Sequence, residues 1–232
     1  MISMHLWRLG GPLASDFILR PSRHLGAGWE QTLFPPNINV DGMSARAQLF
    51  VSRHLSARLA LSTEAASADA DRLSWAIALL PQQRLERFCC HLGATLAAQE
   101  VRHIIERDAV KAYRQALGDD LFWFVMQRTP LIYHSSDTEQ HRWGPEAIMD
   151  AVRATGELAL RRMVESRSTE LWRRLQLKLP YPPQPGDAPS DPNTSNVESL
   201  RRLALRILRE TETTWTHQFM TNTEPDSPET AS

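Results

Sequence analysis

Cysteine is nearly absent: the 232-residue chain carries two, Cys89 and Cys90, side by side. Adjacent residues are poorly placed to bridge each other without backbone strain, so a disulfide framework is excluded and a reduced, cytosolic compartment is the simplest reading. Long apolar runs are missing as well. The longest, 75–80 and 121–126, hold six residues each, whereas a membrane helix needs about 20. The first nine residues carry His5 and Arg8, and Gly10, Gly11 and Pro12 follow where a secretory signal would place its apolar stretch. A soluble protein is expected. Charge of one sign is also lacking, the formal net charge being −1. No global field then selects nucleic acid or an anionic membrane, and such a contact would need a local patch.

What remains is ordinary globular material. Hydrophobic residues make up 42% and charged residues 23% of the chain, which excludes wholesale disorder and a collagen. At 26.3 kDa, surface scaling lets the chain bury roughly 72% of its unfolded surface, enough for a sizeable core in one domain.

Helix breakers are uneven. Gly10, Gly11, Gly26, Gly28 and Gly42, with Pro12, Pro21, Pro35 and Pro36, crowd the first 42 residues. That density predicts extended or looped backbone, with 17–19 and 32–34 as candidate edge strands. Beyond Asp41 helical periodicity dominates. Helices are expected over 44–61, capped by Ser44 with Leu49, Phe50, Leu55 and Leu59 inward, and over 69–80, stopped by Pro81. In 82–107 the residues Leu85, Phe88, Cys89, Leu92 and Leu96 form one stripe. Val101, Ile104 and Ile105 leave it, so this helix either bends near Gly93 or is covered on two faces. Asp108 is the expected cap of 109–117, closed by Gly118, and Asp119 or Asp120 the cap of 121–127, apolar all round and read as deeply buried. Pro145 opens 146–165, whose inner face is Ile148, Val152, Gly156, Ala159 and Met163; on its outer face Glu157 and Arg161 stand at pairing distance.

Residues 171–179 fit a strand by alternation and a helix by their bulky side chains, and the sequence leaves both open. Six prolines between 180 and 192 then form a stiff connector. Asn196 caps a last helix, 197–215, and a polar tail follows. The expected architecture is mainly α: an irregular or short-stranded segment (1–42), a compact helical core (43–180), a Pro-rich connector (181–196), a C-terminal helix (197–219) and a disordered tail (220–232).

Signatures of chemistry are as scarce as cysteine. There is no Gly-x-Ser-x-Gly elbow, Walker loop, Gly-x-Gly-x-x-Gly or His-Glu-x-x-His. Cys89, Cys90, His91 and His103 are ligand types, but consecutive helical residues diverge by about 100°, so Cys89 reads as core packing and His103 as a partly buried, hydrogen-bonded histidine. Asp69, Asp71, Asp119 and Asp120 stand at helix starts, where capping explains them. A catalytic set built from Glu100, His103 and His134 is conceivable only as an assembly of distant residues. Trp7, Trp29, Trp143 and Trp172 read as core anchors.

The C-terminal helix is the best candidate site. Arg202, Arg206 and Arg209 share one face opposite Leu200, Leu203, Ile207, Leu208 and Trp215, with Glu198 placed to pair with Arg202. A basic amphipathic helix can dock an acidic partner or a membrane surface, or simply be solvated. A helical nucleic-acid-binding regulator using the same face is the alternative, disfavoured by the net charge and by the lack of a helix-turn-helix.

Two blocks carry a resemblance. One is 85–93 (Leu-Glu-Arg-Phe-Cys-Cys-His-Leu-Gly), continued by the Val101-Arg102 step; the other is 171–180 (Leu-Trp-Arg-Arg-Leu-Gln-Leu-Lys-Leu-Pro). With Cys90, Leu92, Gly93, Val101, Arg102, Arg174, Leu175, Leu177, Leu179 and Pro180 in matching order, the chain resembles the SctK family of bacterial type III secretion systems (the YscK, PscK and Hrp-type accessory proteins). The resemblance implies a non-enzymatic cytosolic adaptor without cofactor or metal, peripheral to the inner membrane. It would bridge the ring protein SctD to the pod protein SctQ, and through that to SctL and the ATPase SctN. No catalytic residues come with it.

Overall fold

The computed structural model describes residues 4–35, 39–40, 42–62, 70–133, 143–180 and 196–220. Among them the secondary structure is helical, with no strand. The expected mainly α, compact fold is the one observed. The Pro-rich stretch 181–195, the tail 221–232, Asp69 and His134 lie outside the described residues.

Two helices form the spine: α5 (Gln82–Leu96) and α10 (Ile148–Glu165), which share the most extensive contact among the described elements. Small residues explain their approach. A Cβ on Gly93 would stand 1.8 Å from the carbonyl oxygen of Val152, and one on Gly156 would stand 2.1 Å from that of Cys89. Only hydrogens fit between the two backbones here. The spine divides two apolar clusters. Below the crossing, Leu85, Phe88 and Leu92 pack with Leu160 and Met163. Above it, Ala94, Ala97, Ile148 and Val152 pack with α6 (Ala98–Arg102), α7 (Arg107–Leu117) and α8 (Asp119–Gln127).

The spine helix α5 is shorter than the period suggests. It stops at Leu96, Ala97 separates it from α6, and the later apolar residue Val101 joins the upper cluster. Of the two readings of this segment, a bend near Gly93 or a helix covered on two faces, the second fits Gly93, which is the point of closest packing. Several ends are fixed by side chains as expected. Ser44 Oγ accepts from Ala47 N (3.3 Å) at the start of α3 (Ala45–Arg58), and Asp71 Oδ1 accepts from Ser74 N (2.9 Å) at α4 (Arg72–Ala78). Asp108, Asp119 and Asp120 sit within first turns rather than at caps, where carboxylates still complement the helix dipole. The residues 171–179 resolve as helix: α11 (Thr169–Leu175), capped by Ser168, runs into a 3-10 turn (Gln176–Lys178). Leu175, Leu177 and Leu179 are buried there without any strand pairing.

The N-terminal segment corrects the sequence reading. Helix α1 (Met4–Leu19) takes up residues read as extended, a 3-10 turn (Pro21–His24) follows, and α2 (Trp29–Leu33) replaces the second candidate strand. Gly11 takes φ +42° just ahead of Pro12, and the helix continues past both. Tertiary packing outweighs local propensity here, because Ala14, Phe17 and Ile18 are sealed into the lower cluster. Polar anchors hold the layer in place. Arg174, fully buried, donates to the carbonyl of Ile18 (2.7 Å), and Gly26 N donates to that of Leu177 (2.6 Å). Trp29 Nε1 donates to the carbonyl of Leu179 (2.9 Å). Residues 4–33 are therefore a layer of the fold and not an appendage.

The C-terminal helix is likewise built in. It comes as α12 (Val197–Thr211), capped by Asn196, and α13 (Thr213–Met220), so the expected single helix breaks at Glu212. Leu200, Leu203 and Ile207 lie in the lower cluster, and Trp215 Nε1 donates to the carbonyl of Ala76 (2.9 Å).

Candidate interaction surface

The geometry of α12 follows from its sequence. Leucines and isoleucine three and four apart bury one face, which leaves Arg202, Arg206 and Arg209 on the opposite, exposed arc. Arg206 is partly committed: its Nη1 donates to the carbonyl of Ile132 (2.8 Å) in α9 (Thr129–Ile132). The side chains of Arg202 and Arg209 have no hydrogen-bond or ion-pair partner among the described residues. Glu198 does not serve Arg202; it pairs with Arg167 (2.6 Å) and approaches Arg201 (4.0 Å). The expected Glu157–Arg161 pair is also replaced, Arg161 turning to Glu165 (2.9 Å).

Sequence reasoning overlooks the neighbours of this stripe. Helix α8, expected to be buried all round, turns only Leu121, Phe122, Phe124 and Val125 inward. Trp123 (46% exposed) and Met126 (37%) face outward, and Leu131 (72%) follows on α9. In an eight- or nine-residue helix with few polar residues, the periodicity gives no way to tell the wet face from the dry one. The Arg114 guanidinium lies 5.7 Å from the Trp123 ring centroid, close enough for a cation–π contact. Arg128, between α8 and α9, reaches Glu210 of α12 at 3.9 Å. Arg206 thus bonds beside the exposed Leu131 where α9 meets α12. Phe50 corrects a further expectation: it is 74% exposed on α3, while Ser52 and Leu55 take the inner face.

The constellations weighed for chemistry disperse. Cys89 is buried, and burial pushes its thiol well above the ordinary range; burial raises Cys90 too, against the Arg153 guanidinium beside it. Neither is a thiolate poised for metal or for attack. His91 Nδ1 sits 2.8 Å from the carbonyl of Arg87 with its ring edge-on to Phe124, and burial lowers its pKa. His103 is exposed, not part of the buried stripe. Asp71 caps α4 and also receives Arg201; Asp119 pairs with Arg114 (2.5 Å) and Asp120 with Arg87 (2.9 Å). No group of three metal-ligating side chains occurs among the described residues. Nor is any described helix long and apolar enough to cross a membrane. Trp29 and Trp172 are anchors as expected; Trp143 packs half-buried on the upper cluster, and its carbonyl accepts from Tyr113 Oη.

A family model, described as "YOP proteins translocation protein K (YscK)", matches residues 46–220. The chain belongs to the YscK family. The resemblance read from the two sequence blocks is thereby established, and the protein is a type III secretion protein. No curated protein and no solved structure matches it. The matched span of this YscK-family chain runs from α3 through α13 and contains the α8–α9 corner and the α12 stripe. The layer formed by α1, the first 3-10 turn and α2 precedes it.

Proposed function

We propose that this YscK-family protein is a non-enzymatic cytosolic adaptor, peripheral to the inner membrane. It links the inner-membrane ring protein (SctD) to the pod protein (SctQ), and through SctQ to SctL and the SctN ATPase. The observation that carries the reading is the family match across nearly the whole helical body. An adaptor works by holding partner surfaces at a fixed separation, so it needs a body that does not flex between them. The Gly93–Gly156 crossing and the buried anchors Arg174 and Lys178 supply that stiffness. Each interface of ordinary size would bury about 800 Å² on this protein, with aromatic and arginine side chains as its energetic centres. Trp123, Arg202 and Arg209 are exposed residues of those types.

Calorimetric titration of the purified chain with the cytosolic domain of the ring protein, and separately with the pod protein, tests the reading. Saturable one-to-one or fixed-ratio binding to each is expected. Binding to only one of the two would remove the linking role.

A further inference from the structure

The arginine stripe of α12 is joined to the α8–α9 corner by two contacts, Arg206 to the carbonyl of Ile132 and Arg128 to Glu210. On that corner Trp123, Met126 and Leu131 hold exposed apolar surface within nine residues of chain. Scattered single apolar residues on a surface are ordinary, but Leu131, 72% exposed, stands next to Ile132, whose carbonyl accepts from Arg206 of the stripe. Among the described residues, Asp119 is matched with Arg114, Asp120 with Arg87 and Glu210 with Arg128. Arg202, Arg206 and Arg209 form no ion pair among the described residues. The described residues of this surface therefore carry surplus positive charge next to an exposed apolar side chain, although the whole chain has a net charge of −1.

We propose that the α8–α9 corner and the outer face of α12 form one docking surface for an acidic amphipathic segment of a protein partner. Its apolar side chains would seat on Leu131, and its carboxylates on Arg202, Arg206 and Arg209. The guanidinium fork fits carboxylate and phosphate alike, so arginine alone does not choose the partner. The apolar corner does, since a nucleic-acid backbone offers it nothing. The stripe is also short: Arg202 to Arg209 spans about 10 Å along the helix, the length of two turns of a docked helix and little for holding a membrane. The proposal rests on the adaptor reading for its setting, but its support is the charge and apolar exposure of this surface.

The probe is a labelled 20-residue helical peptide with leucines on one face and glutamates on the other, titrated with the full chain in fluorescence anisotropy. A peptide with lysine in place of each glutamate is the control. Saturable binding of the glutamate peptide, weakened by salt, is expected, with little binding of the lysine peptide. R202E/R209E and, separately, L131S should each weaken it by about ten-fold, with unchanged helical content and melting. Both sets of substitutions lie at exposed positions, and L131S tests the surface without touching charge. Equal binding by the variants and the parent chain, or equal binding of the two peptides, overturns the proposal. So does tighter binding to phosphatidylglycerol vesicles or to 20-base-pair DNA that R202E/R209E abolishes. A chain that binds the glutamate peptide as expected but neither secretion partner would sink the adaptor reading and leave this surface standing. The reverse pattern would sink the surface alone.

Discussion

Replacing Gly93 by alanine adds one methyl group, and the structure says where it must go. The new carbon would sit 1.8 Å from the Val152 carbonyl oxygen, where ordinary van der Waals separation begins at 3.4 Å. The obstacle is the backbone of α10, which no side-chain rotation can move aside. The two spine helices must part by about 1.5 Å, and a gap of even 0.5–1 Å forfeits a quarter to a half of the dispersion attraction between facing atoms along the seam. Overpacking of a tight core costs about 1–3 kcal/mol, and the seam borders both clusters, so G93A belongs at or above the top of that range, at about 3 kcal/mol. For a chain of this size that lowers the melting temperature by roughly 6–12 °C. G156A meets the Cys89 carbonyl at 2.1 Å and strains the same seam, so the double variant should cost clearly less than the two single losses together. G42A is the control: its methyl lies 3.7 Å from the nearest atom, the Asn39 side chain, and stability should change by less than about 1 kcal/mol. Thermal and urea unfolding followed by circular dichroism measure all four. A G93A protein that melts with the parent chain would refute the close crossing as the organising contact.

Other expectations follow from the buried polar groups. Lys178 donates to the carbonyls of Ala78 and Leu80, and burial lowers its pKa to about 8. The unfolded chain holds that proton up to about pH 10.5, so the stability of the parent chain relative to K178M should rise between pH 8 and 10.5, by up to about 3 kcal/mol. A flat difference in urea midpoint across that window would contradict the burial of the charge. His24 is lowered to about 4, first by burial and then by the nearby Lys178 charge, although Asp16 Oδ2 stands 3.3 Å from Nε2. That nitrogen has no aligned hydrogen-bond partner, so the ring is held neutral. Because the unfolded histidine takes up its proton near pH 6.5, stability present above that pH should be lost as pH falls towards 4, and H24F should lose less over the same window in an acid titration of unfolding. Arg201, largely buried, binds Asp71 and so ties α12 to the start of α4. R201M should cost about 2 kcal/mol in urea unfolding, and an unchanged midpoint would show the pair to be incidental.

How much of this is legible in the sequence depends on the length of each signal. Helix α10 is readable because eighteen residues repeat the apolar spacing five times over, and the caps Ser44, Asp71 and Asn196 because a side-chain oxygen at a helix start has one obvious use. Family membership is readable because 85–93 and 171–180 are two ordered blocks rather than one short motif. The N-terminal layer is not, since Gly10, Gly11 and Pro12 argue locally against a helix that Phe17 and Ile18 stabilise only by burying themselves against residues far along the chain. Gly93 reads either as a bend or as part of a helix covered on two faces, and the sequence does not decide between them because the glycine's partner, Val152, lies about sixty residues away. Of the candidate surface, the stripe Arg202–Arg206–Arg209 is visible in the period of α12. Its apolar half is hidden, because Trp123 and Met126 sit in a run where every side chain looks fit for a core. The buried cations Arg174 and Lys178 are unreadable altogether, as nothing in a Leu-x-Leu pattern signals that the polar residues between the leucines are also sealed.

The claim on which the functional account depends is that one rigid helical body joins two secretion proteins. Light scattering coupled to size-exclusion chromatography, on the cytosolic domain of the ring protein mixed with the pod protein, measures it directly. With this chain added, a single peak whose mass contains all three proteins is expected, absent when the chain is omitted. Ring and pod proteins that co-elute equally well without it, or three components that elute separately, would contradict the account.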